Sequence, residues 1–159
     1  MVFRRGEVVA ALKKSAGVAA LLCLWCMAQG AVGDAKTAES RIGNLSVEVR
    51  ARATPPGISV GAIYFSVENS GGTADRLLFV STPVAGKVEL HESHLVNGVM
   101  AMREVTSVEC PAGATVKAAP GGLHVMLLGL AAPLAAGTQI DVSLHFRDAG
   151  VLTLKVPVT

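Results

Sequence analysis

Aromatic and charged residues are scarce in this sequence. Phe, Trp and Tyr make up 4% of the 159 residues, and Asp, Glu, Lys and Arg make up 16%. Hydrophobic residues nevertheless account for 51% of the chain. This composition excludes a disordered chain, which has low hydrophobicity and high charge, and a coiled coil, which is rich in charged helix formers. The length predicts one domain with a core of its own.

Cysteine is also scarce, which limits the available chemistry. Three cysteines are present, and Cys23 and Cys26 lie in an apolar run near the N-terminus. Their C-x-x-C spacing can indicate a redox or metal motif, but within that run we interpret them as part of a targeting segment. Cys110 then remains alone. It cannot form an internal disulfide and is expected to be a small buried hydrophobic residue.

The N-terminal segment is typical of a secretory signal peptide. Four basic residues come first, an apolar run covers residues 16–28, and small residues end the segment at Ala31 and Gly33. We predict a cleavable signal peptide over residues 1–33, export to the periplasm, and no membrane span after cleavage. The apolar run is shorter than the ~20 residues of a comfortable span, and a retained N-terminal anchor is the alternative. Neither cysteine of the segment follows the small residue that lipoprotein cleavage requires.

Removing residues 1–33 changes the charge balance. This segment holds four of the 14 basic residues and one of the 12 acidic residues. The remaining chain therefore has ten basic and eleven acidic residues, a net charge of −1 with histidine neutral. The basic balance of the full sequence thus gives no support for a nucleic-acid partner.

The rest of the chain has the pattern of a β protein. Short alternating hydrophobic runs are separated by turn signals such as Pro55-Pro56-Gly57 and Pro120-Gly121-Gly122. We predict a loose, flexible lead over residues 34–44 and one domain over residues 45–159, an antiparallel sandwich or barrel of about eight or nine short strands. The predicted strands span residues 45–53, 59–69, 75–82, 87–95, 99–105, 114–118, 123–128, 139–147 and 150–158.

Histidine and methionine are few but clustered. Three of the four histidines, and all three methionines that follow the signal peptide, fall between residues 91 and 126. A single histidine or methionine on a strand is usually structural, but the clustering favours a binding site. Side chains alternate across a strand, so His124 and Met126 share one face while Val125 and Leu127 point the other way, into the core.

The Asn97-Gly98 pair predicts the geometry of the second half of this cluster. It is the strongest short signal for a two-residue hairpin turn. The resulting register makes His91 and Met102 diagonal neighbours on one face, about 7–8 Å apart. Met100 shares that face nearer the turn, whereas His94 points to the opposite face.

The predicted metal ligands are two histidines and two methionines: His91, Met102, His124 and Met126. Thioethers are soft ligands that select Cu(I) over zinc, calcium or magnesium. All four ligands are neutral, so Cu(I) leaves a charge of +1 in the site and Cu(II) leaves +2, which an apolar setting disfavours. A blue-copper site would need a cysteine beside the histidines, and Cys110 lacks that local pattern. Hydrolase motifs and phosphate loops are absent, and we expect no enzymatic activity.

The spacing His91, ten residues, Met102, twenty-one residues, His124, one residue, Met126 resembles the signature of the PCu(A)C-type periplasmic copper chaperones. The resemblance extends to V-E-L-H-E at residues 88–92 and P-G-G-L-H-V-M-L-L-G-L at residues 120–130, and it covers about residues 45–158. It implies a cupredoxin-like or immunoglobulin-like β-sandwich that binds one Cu(I) per chain through the four named residues.

The chain departs from that family's pattern in two places. Many members have a methionine soon after the first histidine, where this chain has Glu92, Ser93 and His94. His94, together with Met100, is therefore a candidate auxiliary ligand. Some members carry a C-terminal tail rich in His and Met; this sequence has none, and we expect a single copper.

The resemblance further implies a function in copper delivery. The expected client is the CuA centre of cytochrome c oxidase subunit II, with a Sco-type protein as a second partner. We expect the protein to act as a monomer. The alternatives are a general periplasmic copper buffer or tolerance protein, and a β-sandwich interaction module whose His/Met patch is incidental.

Overall fold

The structure, a computed structural model, describes residues 37–159. Within this range no helix is long and apolar enough to cross a membrane. The predicted signal peptide, with Cys23 and Cys26, lies outside the described residues. The strands of the described part are β1 (Ala38–Ile42), β2 (Leu45–Ala51), β3 (Val60–Asn69), β4 (Asp75–Ser81), β5 (Ala85–Val96), β6 (Val99–Glu104), β7 (Val108–Cys110), β8 (Thr115–Lys117), β9 (Leu123–Leu130), β10 (Gln139–Phe146) and β11 (Val151–Pro157).

The strands form two sheets. The larger sheet has the order β1-β2-β3-β9-β5-β6, and β8 also pairs with β3. The smaller sheet has the order β11-β10-β4-β7. Neighbouring strands are antiparallel throughout both sheets. The fold predicted from the sequence, an all-β antiparallel sandwich, is therefore confirmed.

The core forms because buried and exposed residues alternate along the strands. In β2, Leu45, Val47 and Val49 are at most 2% exposed, whereas the residues between them are half-buried or exposed. β9 follows the same rule with Val125 and Leu127, both fully buried. Burying such side chains stabilises the fold by about 1.5–3 kcal/mol each. The period of two thus directs one face of each sheet into the core and leaves the other face more exposed.

Two strands were not predicted from the sequence. β1 lies inside the segment expected to be a loose lead over residues 34–44, and it pairs with β2 from Ala38–Val49 to Ile42–Leu45. β7 has three residues and pairs with β4. Both strands are short, so a hydrophobic period of two is hard to see in either. Their pairing with longer strands supplies the order that the local sequence does not indicate.

Cys110 lies at the end of β7, in the smaller sheet. Its side chain is fully buried in the core and forms no disulfide. Burial raises the pKa of the Cys110 thiol, which keeps it protonated and a poor metal ligand. The expectation of a small buried hydrophobic residue is confirmed, and the histidines of the candidate site lie in the other sheet.

Candidate copper site

The pairing of β5 with β9 builds the centre of the candidate site. In this register His91 lies directly opposite His124, and Glu89 lies directly opposite Met126. The neighbouring residues Leu90 and Val125 are paired and buried in the core. The two histidines, Glu89 and Met126 therefore occupy the face of the larger sheet that points away from the core.

The hairpin of β5 and β6 has the predicted register. Val96 pairs with Val99, Ser93 with Met102, and His91 with Glu104. Asn97 and Gly98 both have positive φ, 51° and 81°, as a two-residue type I′ turn requires. Met102 is thus on the same face as His91, one step nearer the turn.

The two imidazoles are close enough to share one metal ion. Their ring centroids are 5.9 Å apart and the rings are inclined at 63°. A metal ion bound about 2 Å from one nitrogen of each ring would place the centroids roughly 5–6 Å apart. The histidine pair therefore fits a shared copper ion without a large movement of either strand.

A backbone hydrogen bond fixes the orientation of His124. Its Nδ1 lies 2.9 Å from the carbonyl oxygen of Gly122, so Nδ1 carries the proton and donates. The same carbonyl accepts the backbone N–H of Ser93 at 3.1 Å. The Ser93 bond ties the start of β9 to the hairpin. The His124 bond leaves the lone pair of Nε2 free to bind a metal ion.

His91 is oriented by a carboxylate instead. Its Nε2 lies 2.7 Å from Oε2 of Glu89, and the two side chains are only 15% and 10% exposed. The other ring nitrogen, Nδ1, is buried and has no hydrogen-bond partner. Leaving such an atom unsatisfied costs about 1–3 kcal/mol in a protein without a ligand. A histidine that binds a metal ion needs such a free lone pair, and the ring of His91 also lies beside a second imidazole.

Glu89 was not among the residues predicted from the sequence. Its carboxylate also contacts the ammonium group of Lys87. Hydrogen bonds from Lys87 and then from His91 lower the pKa of Glu89, so the side chain is an ionised acceptor. A signal for it does exist in the sequence, because a residue two positions before His91 on a strand shares its face.

The methionines flank the histidine pair on opposite sides. Met126 is half-buried and lies beside His124 on β9. Met102 is 56% exposed and lies one step toward the hairpin turn, on the edge strand β6. The structure thus brings together His91, His124 and Met126, and leaves the thioether of Met102 exposed at the margin.

The two candidate auxiliary ligands occupy different positions. His94 pairs with Ala101, is exposed, and points to the face opposite His91, as the register predicted. Met100 is 52% exposed, shares the face of Met102 and lies nearer the turn. Met100 therefore lies on the same face as Met102, whereas His94 does not.

The fourth histidine of the described chain and its charged groove lie away from this cluster. His145 is in the smaller sheet, where it contacts Ser81 at 3.0 Å and stacks on Phe79. A groove of about 660 Å³ on the larger sheet contains none of the four predicted ligands, and its charged residues are Glu39, Arg41, Glu48, Arg50, Glu68 and Lys117. Among residues 37–159, no group of three or more His, Cys, Asp and Glu side chains is arranged to hold a metal ion.

Comparison with known proteins gives matches over nearly all of the sandwich. The model of the LpqE-like family, described as "Putative lipoprotein LpqE-like", matches residues 46–158. A protein of Leifsonia xyli subsp. xyli (strain CTCB07), named "Putative lipoprotein Lxx21020", is 39% identical over 103 residues. That match covers 64% of this chain and 62% of the relative, so the chain spans less than two thirds of the relative's length.

Several solved structures share the fold, two of them bound to copper. The copper-bound PCuAC domain from PmoF2 is 26% identical with a TM-score of 0.64, and the match covers 76% of this chain and 96% of that domain. The Cu(I)-bound DR1885 from Deinococcus radiodurans is 26% identical with a TM-score of 0.55, over 76% of this chain and 80% of that protein. With the family model matched along 46–158 and the fold shared with PCuAC domains, the chain belongs to the LpqE-like family of PCuAC-like proteins.

Proposed function

We propose that this protein is an exported carrier of one Cu(I) ion, bound by His91, His124, Met126 and Met102. The observation that carries the proposal is the facing pair of imidazoles, 5.9 Å apart, with a buried unpartnered nitrogen on one ring. The copper-bound neighbours, PmoF2 and DR1885, support copper as the cargo. The two thioethers favour Cu(I) over harder ions.

The unequal exposure of the ligands suits a carrier rather than an enzyme. Three of them are at least half-buried, whereas Met102 is 56% exposed on an edge strand. An incoming ligand can replace Met102 first, while the histidines still hold the ion. Copper then leaves by stepwise ligand exchange, and no bond of an organic substrate has to be made or broken.

The client we propose is the CuA centre of cytochrome c oxidase subunit II, with a Sco-type protein acting alongside. This proposal rests on the resemblance of the four-ligand spacing to the PCu(A)C signature. The alternative client-free role, a periplasmic copper buffer, uses the same site. Nothing in the geometry of the described residues favours the buffer.

Copper transfer tests the carrier function. The protein loaded with one equivalent of Cu(I) is mixed with a purified apo fragment of subunit II, the two are separated, and copper is measured in each. We expect copper to appear on the fragment, and we expect Met102→Ala to weaken Cu(I) binding about tenfold or more, since an inner ligand is lost. His94→Ala is the matched control and should behave as the wild type. Retention of all copper by the carrier would reject the proposed client in favour of the buffer.

Export is the proposed route to the compartment where this copper is handled. The signal-peptide pattern of residues 1–33 supports it, as do the lipoprotein names of the family and the relative. We expect the secreted chain to begin at Asp34 and to carry no lipid, because neither Cys23 nor Cys26 follows a small residue. Mass spectrometry of the mature protein measures this directly. A chain that begins with a lipidated Cys23 or Cys26 would show that the protein is anchored to the membrane after export.

A further inference from the structure

The two histidines of the candidate site are held by different groups on opposite ring nitrogens. His124 donates from Nδ1 to the Gly122 carbonyl, which leaves Nε2 with its lone pair. His91 contacts Glu89 through Nε2, which leaves Nδ1. Because a carboxylate can only accept, a neutral His91 must carry its proton on Nε2. The nitrogen left over on His91 is the buried atom without a partner.

We propose that Glu89 is a positioning residue of the copper site, which selects the tautomer of His91 so that Cu(I) binds to His91 Nδ1 and to His124 Nε2. This inference rests on the proposed function, since it names how that same site is organised. Metal-bound histidines commonly donate their other ring N–H to a carboxylate or carbonyl, and such partners fix the ring and raise its basicity. Here His91 has the carboxylate of Glu89 as its partner, and His124 has the carbonyl of Gly122.

The position of Glu89 adds an electrostatic effect. The four proposed ligands are neutral, so the bound ion would otherwise be an uncompensated positive charge on a partly buried surface. Glu89 is 10% exposed, lies opposite Met126 and contacts His91, so its negative charge would lie close to a Cu(I) ion held by these two residues. Lys87, which contacts the other carboxylate oxygen, is 66% exposed, and water screens its charge more effectively.

Two other carboxylates on the hairpin have different surroundings. Glu104 lies opposite His91 on β6 and is exposed. Glu92 is next to His91 in sequence, but it points to the other face and forms an exposed ion pair with Arg103 at 2.7 Å. Glu92 is therefore the matched control. Its carboxylate lies on the same strand as Glu89 but points away from the imidazole of His91.

The test compares Glu89→Gln, Glu89→Ala and Glu92→Gln with the wild type in the full exported chain. The first readout uses the copper-free protein: two-dimensional NMR of ¹⁵N-labelled histidine at about pH 8 reports which ring nitrogen carries the proton. We expect Nε2–H for His91 in the wild type, in Glu92→Gln and in Glu89→Gln, whose amide oxygen can still accept. We expect a mixture of tautomers in Glu89→Ala. A wild-type His91 protonated on Nδ1 would overturn the proposal.

The second readout is Cu(I) binding by competition with a chromophoric chelator. We expect Glu89→Ala to bind about 10- to 100-fold more weakly, and Glu89→Gln to recover part of that loss. Removing the negative charge should also raise the Cu(II)/Cu(I) potential of Glu89→Gln, because Cu(II) loses more stabilisation than Cu(I). Wild-type affinity and potential in both variants would overturn the proposal. If the wild type itself binds no Cu(I), the proposed function fails, and the NMR readout still decides whether Glu89 sets the tautomer.

Discussion

Replacing His124 with alanine is expected to weaken Cu(I) binding by about a hundredfold or more. The loss of an outer partner of a metal ligand already costs 10–100-fold, and His124 is proposed as an inner ligand. Its Nε2 is the nitrogen left free when Nδ1 donates to Gly122. Without His124, one imidazole and two thioethers remain in the proposed site, and one of the two strands no longer supplies a nitrogen ligand. Competition with a chromophoric Cu(I) chelator measures the affinity and the stoichiometry.

The chain offers two matched controls for this experiment. His94→Ala removes an exposed imidazole from the same hairpin but from the opposite face. His145→Ala removes one from the smaller sheet, where the ring contacts Ser81. Both should bind one Cu(I) with the wild-type affinity. Equal affinity of His124→Ala and the wild type would reject the site, and a loss in His94→Ala as large as in His124→Ala would show that the copper face has been assigned wrongly.

Replacing Leu127 with alanine is expected to lower the free energy of unfolding by about 2–5 kcal/mol. Leu127 is fully buried, and it lies on β9 one residue after Met126 but on the core face. The substitution leaves a cavity between the sheets and removes no atom of the copper site. Chemical denaturation of the copper-free protein measures the loss, with Leu128→Ala, a half-buried residue on the outer face, as the control.

Copper should partly offset this loss of stability. A ligand that binds only the folded state stabilises it in proportion to the logarithm of its free concentration over the dissociation constant. The melting temperature of Leu127→Ala should therefore rise on addition of Cu(I), by about as much as that of the wild type. A Leu127→Ala protein with unchanged stability would show that β9 does not pack against the core, and the face assignment of His124 would then be wrong.

The sequence predicted those parts of the site that depend on local rules. The Asn97-Gly98 turn fixed the register of the hairpin, and every pair from His91–Glu104 to Val96–Val99 lies where the turn places it. The alternation in β9 placed His124 and Met126 on one face, and the structure agrees. Both rules use only neighbouring residues and the period of two.

What could not be predicted depends on contacts between distant segments. Alternation says which face a residue is on, but not which strand lies beside it. The pairing of β5 with β9, which sets His91 opposite His124, is therefore visible only in the structure. Glu89 was missed because an acidic residue on a strand is usually solvated, and its burial follows from that same pairing. β1 and β7 were missed because they are short and owe their order to the strands beside them.

The alternation along β9 also limits which mutations this segment can accept during evolution. Successive side chains of this strand alternate between the face that carries the proposed copper ligands and the face that packs in the core. A single-residue insertion between Val125 and Met126 would reverse the faces of the residues that follow it, so Met126 would point inward and Leu127 outward. Such a change would remove copper binding and the fold together. Substitutions can modify the two functions of this strand separately, but insertions and deletions of one residue cannot.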